Sequence, residues 1–317
     1  MIRYILQRLL LAIPTFLGMS ILIFLLVRLV PGDVVNAMLG SSSSNVDPTA
    51  EHNLRVSLGL TQPLPVQYWN FISGLVTGHL GNSLVTGLPV SQTLAAAIPI
   101  TFEIAIIAAL IAILVGIPTG ILSATHPNGW MDFVARVAGL LGLSIPNFWF
   151  ATLALLALSS FLGWNPGVIW TPFWSDPGGN LSEVWLPALA VSFYMMATIS
   201  RMTRSSLLEV LGQDYIRTAL AKGATTRYAV ARHALRNALI PILTVTGFQL
   251  GYLLGGTTVI EIVFGLPGLG YTMINAIHDR DYPIIQDTAM LLAGVFVVLN
   301  LVVDVLYGVV DPRIRLR

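Results

Sequence analysis

Lys222 and Gly223, followed by Thr225 and Thr226, come nearest to phosphate chemistry in this chain, and they stand in the wrong order. A phosphate-binding loop needs Gly-x-x-x-x-Gly-Lys-[Ser/Thr], so that backbone amides and the lysine converge on one phosphate. In "AKGAT" the lysine precedes the glycine, and the full motif occurs nowhere in the chain. If ATP drives this protein, another subunit hydrolyses it. The absence of cysteine excludes disulfides, thiolate zinc sites and thiol nucleophiles. The five histidines, His52, His79, His126, His233 and His278, form no His-Glu-x-x-His pair, which argues against a zinc protease within the membrane. No catalytic residue and no metal ligand set is assigned.

The elements that carry these residues are apolar. Of 317 residues, 55% are hydrophobic and only 10% charged, with a mean hydropathy of +0.80. A soluble domain keeps about a quarter of its residues charged, so this chain needs the bilayer as a second apolar phase. A membrane helix takes about 20 apolar residues. Six segments qualify: Leu9 to Val27, Thr101 to Ser123, Val137 to Leu162, Leu186 to Ile199 (short for a span), Leu239 to Val259, and Thr288 to Tyr307. Arg3 and Arg8 before the first apolar run also fit a secretory signal. The run is followed by "VRLVPGDVV" rather than a small-residue cleavage site, so a retained first helix is expected.

The fold class expected is an all-α polytopic membrane protein with about six transmembrane helices. Lys and Arg collect on the cytoplasmic side. With a cytoplasmic N-terminus, only Arg28, Arg55 and Arg280 fall outside, and both termini are cytoplasmic. Residues 1–317 then form a single transmembrane domain, with 31–97 an extracytoplasmic segment and 201–238 a cytoplasmic loop. Within 31–97, pieces such as "VQYWNFISGLV" suit short amphipathic helices at the interface. Residues 163–185 carry Trp164, Trp170, Trp174 and Trp185, an anchoring belt at headgroup level or a ligand-stacking set. The net charge of +1 gives no hint of nucleic acid.

Ionisable groups inside spans are costly and often functional. Glu103 and Asp304 lie near span ends and are read as structural. Gly116 and Gly120 bracket Pro118, and Gly251 and Gly255 form a second small-x-x-x-small face; both are read as helix-packing surfaces.

Seven of the sixteen bases lie between Arg201 and Arg236. "SSLLEVLGQDYIRTALAKG" places Leu208, Leu211, Tyr215, Ala219 and Leu220 at spacings near three and four, an amphipathic helix. Gly223 can end that helix, with Lys222 favourable at its last turn. Thr225 can then cap a second helix carrying "TRYAVARHALRN" toward the fifth span. Three readings fit the bases: a solvated loop obeying the positive-inside rule, an anionic-lipid patch, and a docking element for a cytoplasmic partner. The helix–glycine–helix order and Tyr228 favour docking.

"DYIRTALAKGATTRYAVARHALRNALIP" resembles the cytoplasmic coupling loop of ABC-importer permeases of the dipeptide/oligopeptide/nickel family. That loop's general pattern is Glu-Ala-Ala, three residues, Gly, nine residues, then Ile-x-Leu-Pro. Ala219 and Gly223 match. Arg217 and Thr218 replace Glu and the first Ala, and His233, Leu235 and Arg236 stand where Ile, Leu and Pro would be. "RYILQRLLLAIPTFLGMSILIFLLVRLVPGD", "GLSIPNFWFA", "FGLPGLGYTMINAIHDRDYPIIQDT" and "NLVVDVLYGVVDPRIR" resemble, in order, the first permease subunit of such a pair.

The resemblance implies a prokaryotic inner-membrane protein forming half of a heterodimeric pathway beside a homologous second permease. Two cytoplasmic ATPase subunits would bind ATP and Mg, this chain holding no cofactor, and an extracytoplasmic binding protein would deliver a peptide or similar small solute. The residues implied to grip the ATPase are Asp214, Tyr215, Arg217, Ala219, Lys222, Gly223, Ala224, Thr225, Arg227, Tyr228, Arg232 and His233. Substrate-contacting residues are not readable. The competing function is a stand-alone membrane channel or receptor with a lipid-binding basic loop.

Overall fold

The computed structural model describes residues 2–29, 35, 48–57, 59–165 and 170–310. The "PGD" at 31–33, most of the serine-rich stretch after it, and the basic tail from 311 lie outside the described residues. Long apolar runs with few breakers fold as helices: α1 (Ile2–Leu29), α2 (Pro48–Ser57), α3 (Leu64–Thr77), α4 (Val90–Thr125), α5 (Trp130–Ser144), α6 (Asn147–Leu162), α7 (Pro177–Leu211), α8 (Asp214–Ala221), α9 (Thr226–Phe264, with a π-helical turn at Ala229–Ala234), α10 (Leu269–Asp279) and α11 (Tyr282–Val310). Among the described residues there is no strand, only one bridge between Asn82 and Pro89.

Among the described residues, five helices are long and apolar enough to cross a membrane: Leu6–Leu29, Val90–Thr125, Pro177–Leu211, Thr226–Phe264 and Tyr282–Val305. The third expected span is a broken pair. α5 and α6 bend by 104°, and together they make a sixth candidate crossing. The cause is Pro146. It has no N–H for the helix ladder, and it holds Ile145 in extended conformation at φ −89° and ψ 121°. The fourth expected span, seemingly short, is the 35-residue α7 and the most buried of the five. It carries polar Asn180, Glu183, Ser192, Thr203 and Ser206 on its buried side, which is why its apolar stretch reads as short. α3, holding "VQYWNFISGLV", has 14 residues. Its length of roughly 21 Å is less than the roughly 30 Å hydrocarbon core.

The chain divides into two compact units. The first comprises residues 1–6, 101–266 and 298–317, with α7 at its centre. Gly116 and Gly120 of α4 sit against α7 so closely that a Cβ on Gly116 would lie 2.9 Å from the Met196 carbonyl, and one on Gly120 2.6 Å from the Ser200 carbonyl. Gly142 of α5 approaches Ala197 in the same way. These glycines are packing surfaces. Gly255 on α9 is different: a Cβ there would meet nothing within 4 Å. Glu103 is structural, accepting from Trp170 Nε1 at 2.9 Å and Asn180 Nδ2 at 3.0 Å. One of the four tryptophans of 163–185 thus serves an internal bond, while Trp174 is 91% exposed.

The second unit comprises residues 7–100 and 267–297. Arg28, in the last turn of α1, donates to Gln67 at 2.8 Å and lies over the Phe24 ring. Ser20 and Tyr68 share a hydrogen bond of 2.8 Å. The loop at 82–89 is pinned by Asp281, which accepts from the Ser83 hydroxyl and from the Leu84 amide.

Candidate coupling site

Residues 201–211 of the expected cytoplasmic loop are not loop but the last turns of α7, which ends at Gly212. Gln213 takes extended backbone angles, and α8 starts afresh at Asp214. The one amphipathic helix expected across 205–223 is therefore two. The break resets the helical phase, and so it changes which residue is buried. Ile216 is fully buried, whereas Tyr215 and Leu220 are 46% and 40% exposed. Ile216 packs with Ala124, Leu207, Ala229, Ala234, Ala238 and Ile242, with Leu208 and Leu211 at the edge. This cluster joins the short α8 to α4, α7 and α9, and it fixes the loop to the unit by apolar burial.

α8 ends as its sequence predicts. Gly223 has φ +90°. Its amide donates to the Leu220 carbonyl, and the Ala224 amide reaches the Ala219 carbonyl at 3.2 Å. These two bonds define a Schellman turn, with Lys222 as the C-cap and glycine at the left-handed position. Thr225 then caps the next helix, its hydroxyl accepting from the Tyr228 amide at 3.3 Å. From Thr226 the backbone stays helical to Phe264, 39 residues in one piece. Such a helix is roughly 58 Å long against a roughly 30 Å hydrocarbon core, so it must project well beyond the membrane.

The expected contact residues divide by position. Asp214, Tyr215, Arg217, Lys222, Gly223, Thr225, Arg227, Tyr228 and Arg232 are exposed; Ala219, Ala224 and His233 are half-buried. Asp214 and Arg217 face each other at 3.7 Å with both side chains open to solvent, a pair of little energetic weight. The Tyr228 and His233 rings meet edge to face at 5.8 Å. The Tyr215 hydroxyl accepts from Asn237 at 2.8 Å, tying α8 to α9. The exposed bases and the two tyrosines leave a mixed cationic and aromatic outer surface over an apolar floor.

Several buried carboxylates were not singled out by the sequence. Asp132, Glu261 and Asp287 are all nearly inaccessible. Glu261 accepts from Thr101 at 2.7 Å. Asp132 binds Arg204, the Ser123 hydroxyl and the Asn128 amide. Each lies within a few residues of an expected span end, and the spans are longer than expected. No cluster of three or more metal-ligating side chains occurs among the described residues.

The chain was compared with known proteins. Residues 116–316 match the family described as "Binding-protein-dependent transport system inner membrane component", and residues 1–105 match its membrane-component N-terminal model. The dipeptide transport system permease protein DppB of Alkalihalophilus pseudofirmus is 40% identical, over 99% of this chain and all of that protein. DppB of Escherichia coli K12 is 39% identical over 99% of each chain. Among solved structures, a chain of the MetNI methionine ABC transporter in inward facing conformations superposes with a TM-score of 0.54. It has 18% identity and covers 70% of this chain and 98% of that one, a likeness of fold. With both family models matched and full-length relatives near 40% identity, the chain belongs to the binding-protein-dependent transport system inner membrane components.

Proposed function

We propose that this permease carries a peptide or similar small solute inward, and that residues 214–233 are where a cytoplasmic ATPase moves it. The observation carrying this reading is the continuity of α9. The helix that starts at the Thr225 cap, under the exposed Arg227 and Tyr228, is the same helix that runs on through the apolar span to Phe264. A displacement at its basic end is therefore delivered to the span along one continuous helix, through the π-helical turn at Ala229–Ala234 and past Pro241. Gly223, one turn earlier, lets α8 move as its own short body while Ile216 keeps it seated.

In this reading the basic loop and both termini face the cytoplasm, and a homologous second permease completes the pathway. Two ATPase subunits bind ATP and Mg against the loops, and an extracytoplasmic binding protein delivers the solute. The whole chain acts as one permease domain. Coupling requires that the ATPase contacts differ between two states of the pathway, which a helix locked by packing transmits as a rigid-body motion. The full-length relatives named as dipeptide permeases support the solute class.

The test is purification of the tagged chain in mild detergent, followed by reconstitution. A second permease and an ATPase should co-purify, and uptake into vesicles should require ATP and the binding protein. A chain that purifies alone and conducts or binds solute by itself would overturn the proposal.

A further inference from the structure

Between α5 and α7, in the first unit, lies a cavity of about 360 Å³. Its polar wall carries Arg136, Ser200, Arg201 and Arg204, and its apolar wall includes Leu140 and Leu143. The charges do not cancel. Asp132, the carboxylate at this edge, is fully buried and is taken at both oxygens by Arg204. Arg136 approaches it at 3.5 Å and keeps its side chain 49% exposed. Arg201 is exposed and makes no hydrogen bond or ion pair among the described residues. Three guanidiniums thus face one carboxylate, an excess of two positive charges beside an apolar surface.

The apolar side has a direction. Arg136, Leu140 and Leu143 recur at i, i+4 and i+7 on one face of α5, so base and leucines form a continuous strip. Phe133 is 61% exposed, Leu140 64%, and Trp130, at the start of the helix, 73%. Tryptophan at a helix end favours the headgroup level. The strip therefore passes from guanidinium to hydrocarbon where a lipid does the same.

We propose that this cavity binds one anionic phospholipid, its phosphodiester between Arg136 and Arg201 and its first acyl carbons along Leu140 and Leu143. Guanidinium matches phosphate oxygens with paired donors, and basic pockets between membrane helices suit anionic headgroups. A free phosphate shares the headgroup chemistry, but it would leave the leucine strip unused.

The experiment is native mass spectrometry of the purified full chain, or of its complex, titrated with phosphatidylglycerol, phosphatidylcholine or inorganic phosphate. One phosphatidylglycerol should be retained through detergent activation, phosphatidylcholine should be lost, and millimolar phosphate should not compete. The Arg136→Gln/Arg201→Gln double variant should weaken retention about tenfold or more, since each base near an anionic group contributes. Leu140→Trp fills the chain slot and keeps the bases, and it should also weaken retention; Arg136→Lys/Arg201→Lys keeps the charge without the paired donors and should retain phosphatidylglycerol better than the glutamine pair but less well than the native arginines. Unchanged retention in the double glutamine variant and in Leu140→Trp, or displacement by phosphate alone, would overturn the site. Lipid retention is read without transport, so this result is independent of the coupling role.

Discussion

Arg204 of α7 takes Asp132 of α5 by both carboxylate oxygens, Nε to Oδ1 at 2.7 Å and Nη2 to Oδ2 at 3.0 Å. Ser123, near the end of α4, and the Asn128 amide also donate to it, and Arg136 approaches it at 3.5 Å. A single buried carboxylate therefore joins three helices beside the start of the basic loop. The paired geometry is the strong form of a charged hydrogen bond.

Removing the carboxylate alone leaves the arginine uncompensated. Asp132→Ala should destabilise the chain by about 3 kcal/mol, the low end for a broken buried pair, because the Arg204 side chain is 24% exposed. Asp132→Leu with Arg204→Met should recover most of the loss, since neither buried charge remains. Thermal unfolding in detergent, followed by tryptophan fluorescence, reads both. A double variant no better than the single would mean that the pair is not what holds the three helices.

The membrane class, the span positions and the glycine and threonine signals at 223 and 225 were all legible in the sequence, because each rests on local chemistry: apolar run length, a left-handed turn, a capping hydroxyl. What was not legible was tertiary. Gly212 and Gln213 split one apparent amphipathic helix, and the split moved burial from Tyr215 and Leu220 to Ile216. Ile145 and Pro146 broke a span whose hydropathy looked uniform. Asp132 and Glu261 lie beyond the expected span ends, and only the fold supplies Arg204 and Thr101 as their partners.

Thr225 should matter through its hydroxyl. Thr225→Ala removes the acceptor for the Tyr228 amide and should cost about 1 kcal/mol of local helix stability, while Thr225→Ser or Thr225→Asp should be close to neutral. Hydrogen exchange over residues 226–230 measures this. Equal protection in all three variants would show that the first turn of α9 is held by packing alone.

Gly120 and Gly255 should respond in opposite ways to the same substitution. A Cβ at Gly120 meets the Ser200 carbonyl at 2.6 Å, backbone that cannot swing aside, so Gly120→Ala should destabilise the isolated chain by about 1–3 kcal/mol. Gly255→Ala meets nothing within 4 Å and should be neutral or better. If the second permease covers the α9 face, Gly255→Leu should leave the isolated chain stable and reduce co-purification of that partner. Unfolding and co-purification are measured on the same preparations.

Gly223 is limited by its backbone rather than by space. A Cβ there would meet no atom within 4 Å, yet φ is +90°, where a side chain is strained. Size should therefore matter less than conformational tolerance. Gly223→Asn should keep coupling, because asparagine visits the left-handed region most readily after glycine. Gly223→Val should be worse than Gly223→Asn despite similar bulk. Gly223→Pro should be worst, since its ring fixes φ near −65° and removes the amide that donates to Leu220. None should prevent membrane insertion, because the substitutions lie outside the apolar runs. In reconstituted vesicles, uptake per ATP hydrolysed should fall in the order Gly, Asn, Val, Pro. A proline variant that transports at the unaltered ratio would remove the Schellman turn from the coupling route and leave α9 alone to carry it.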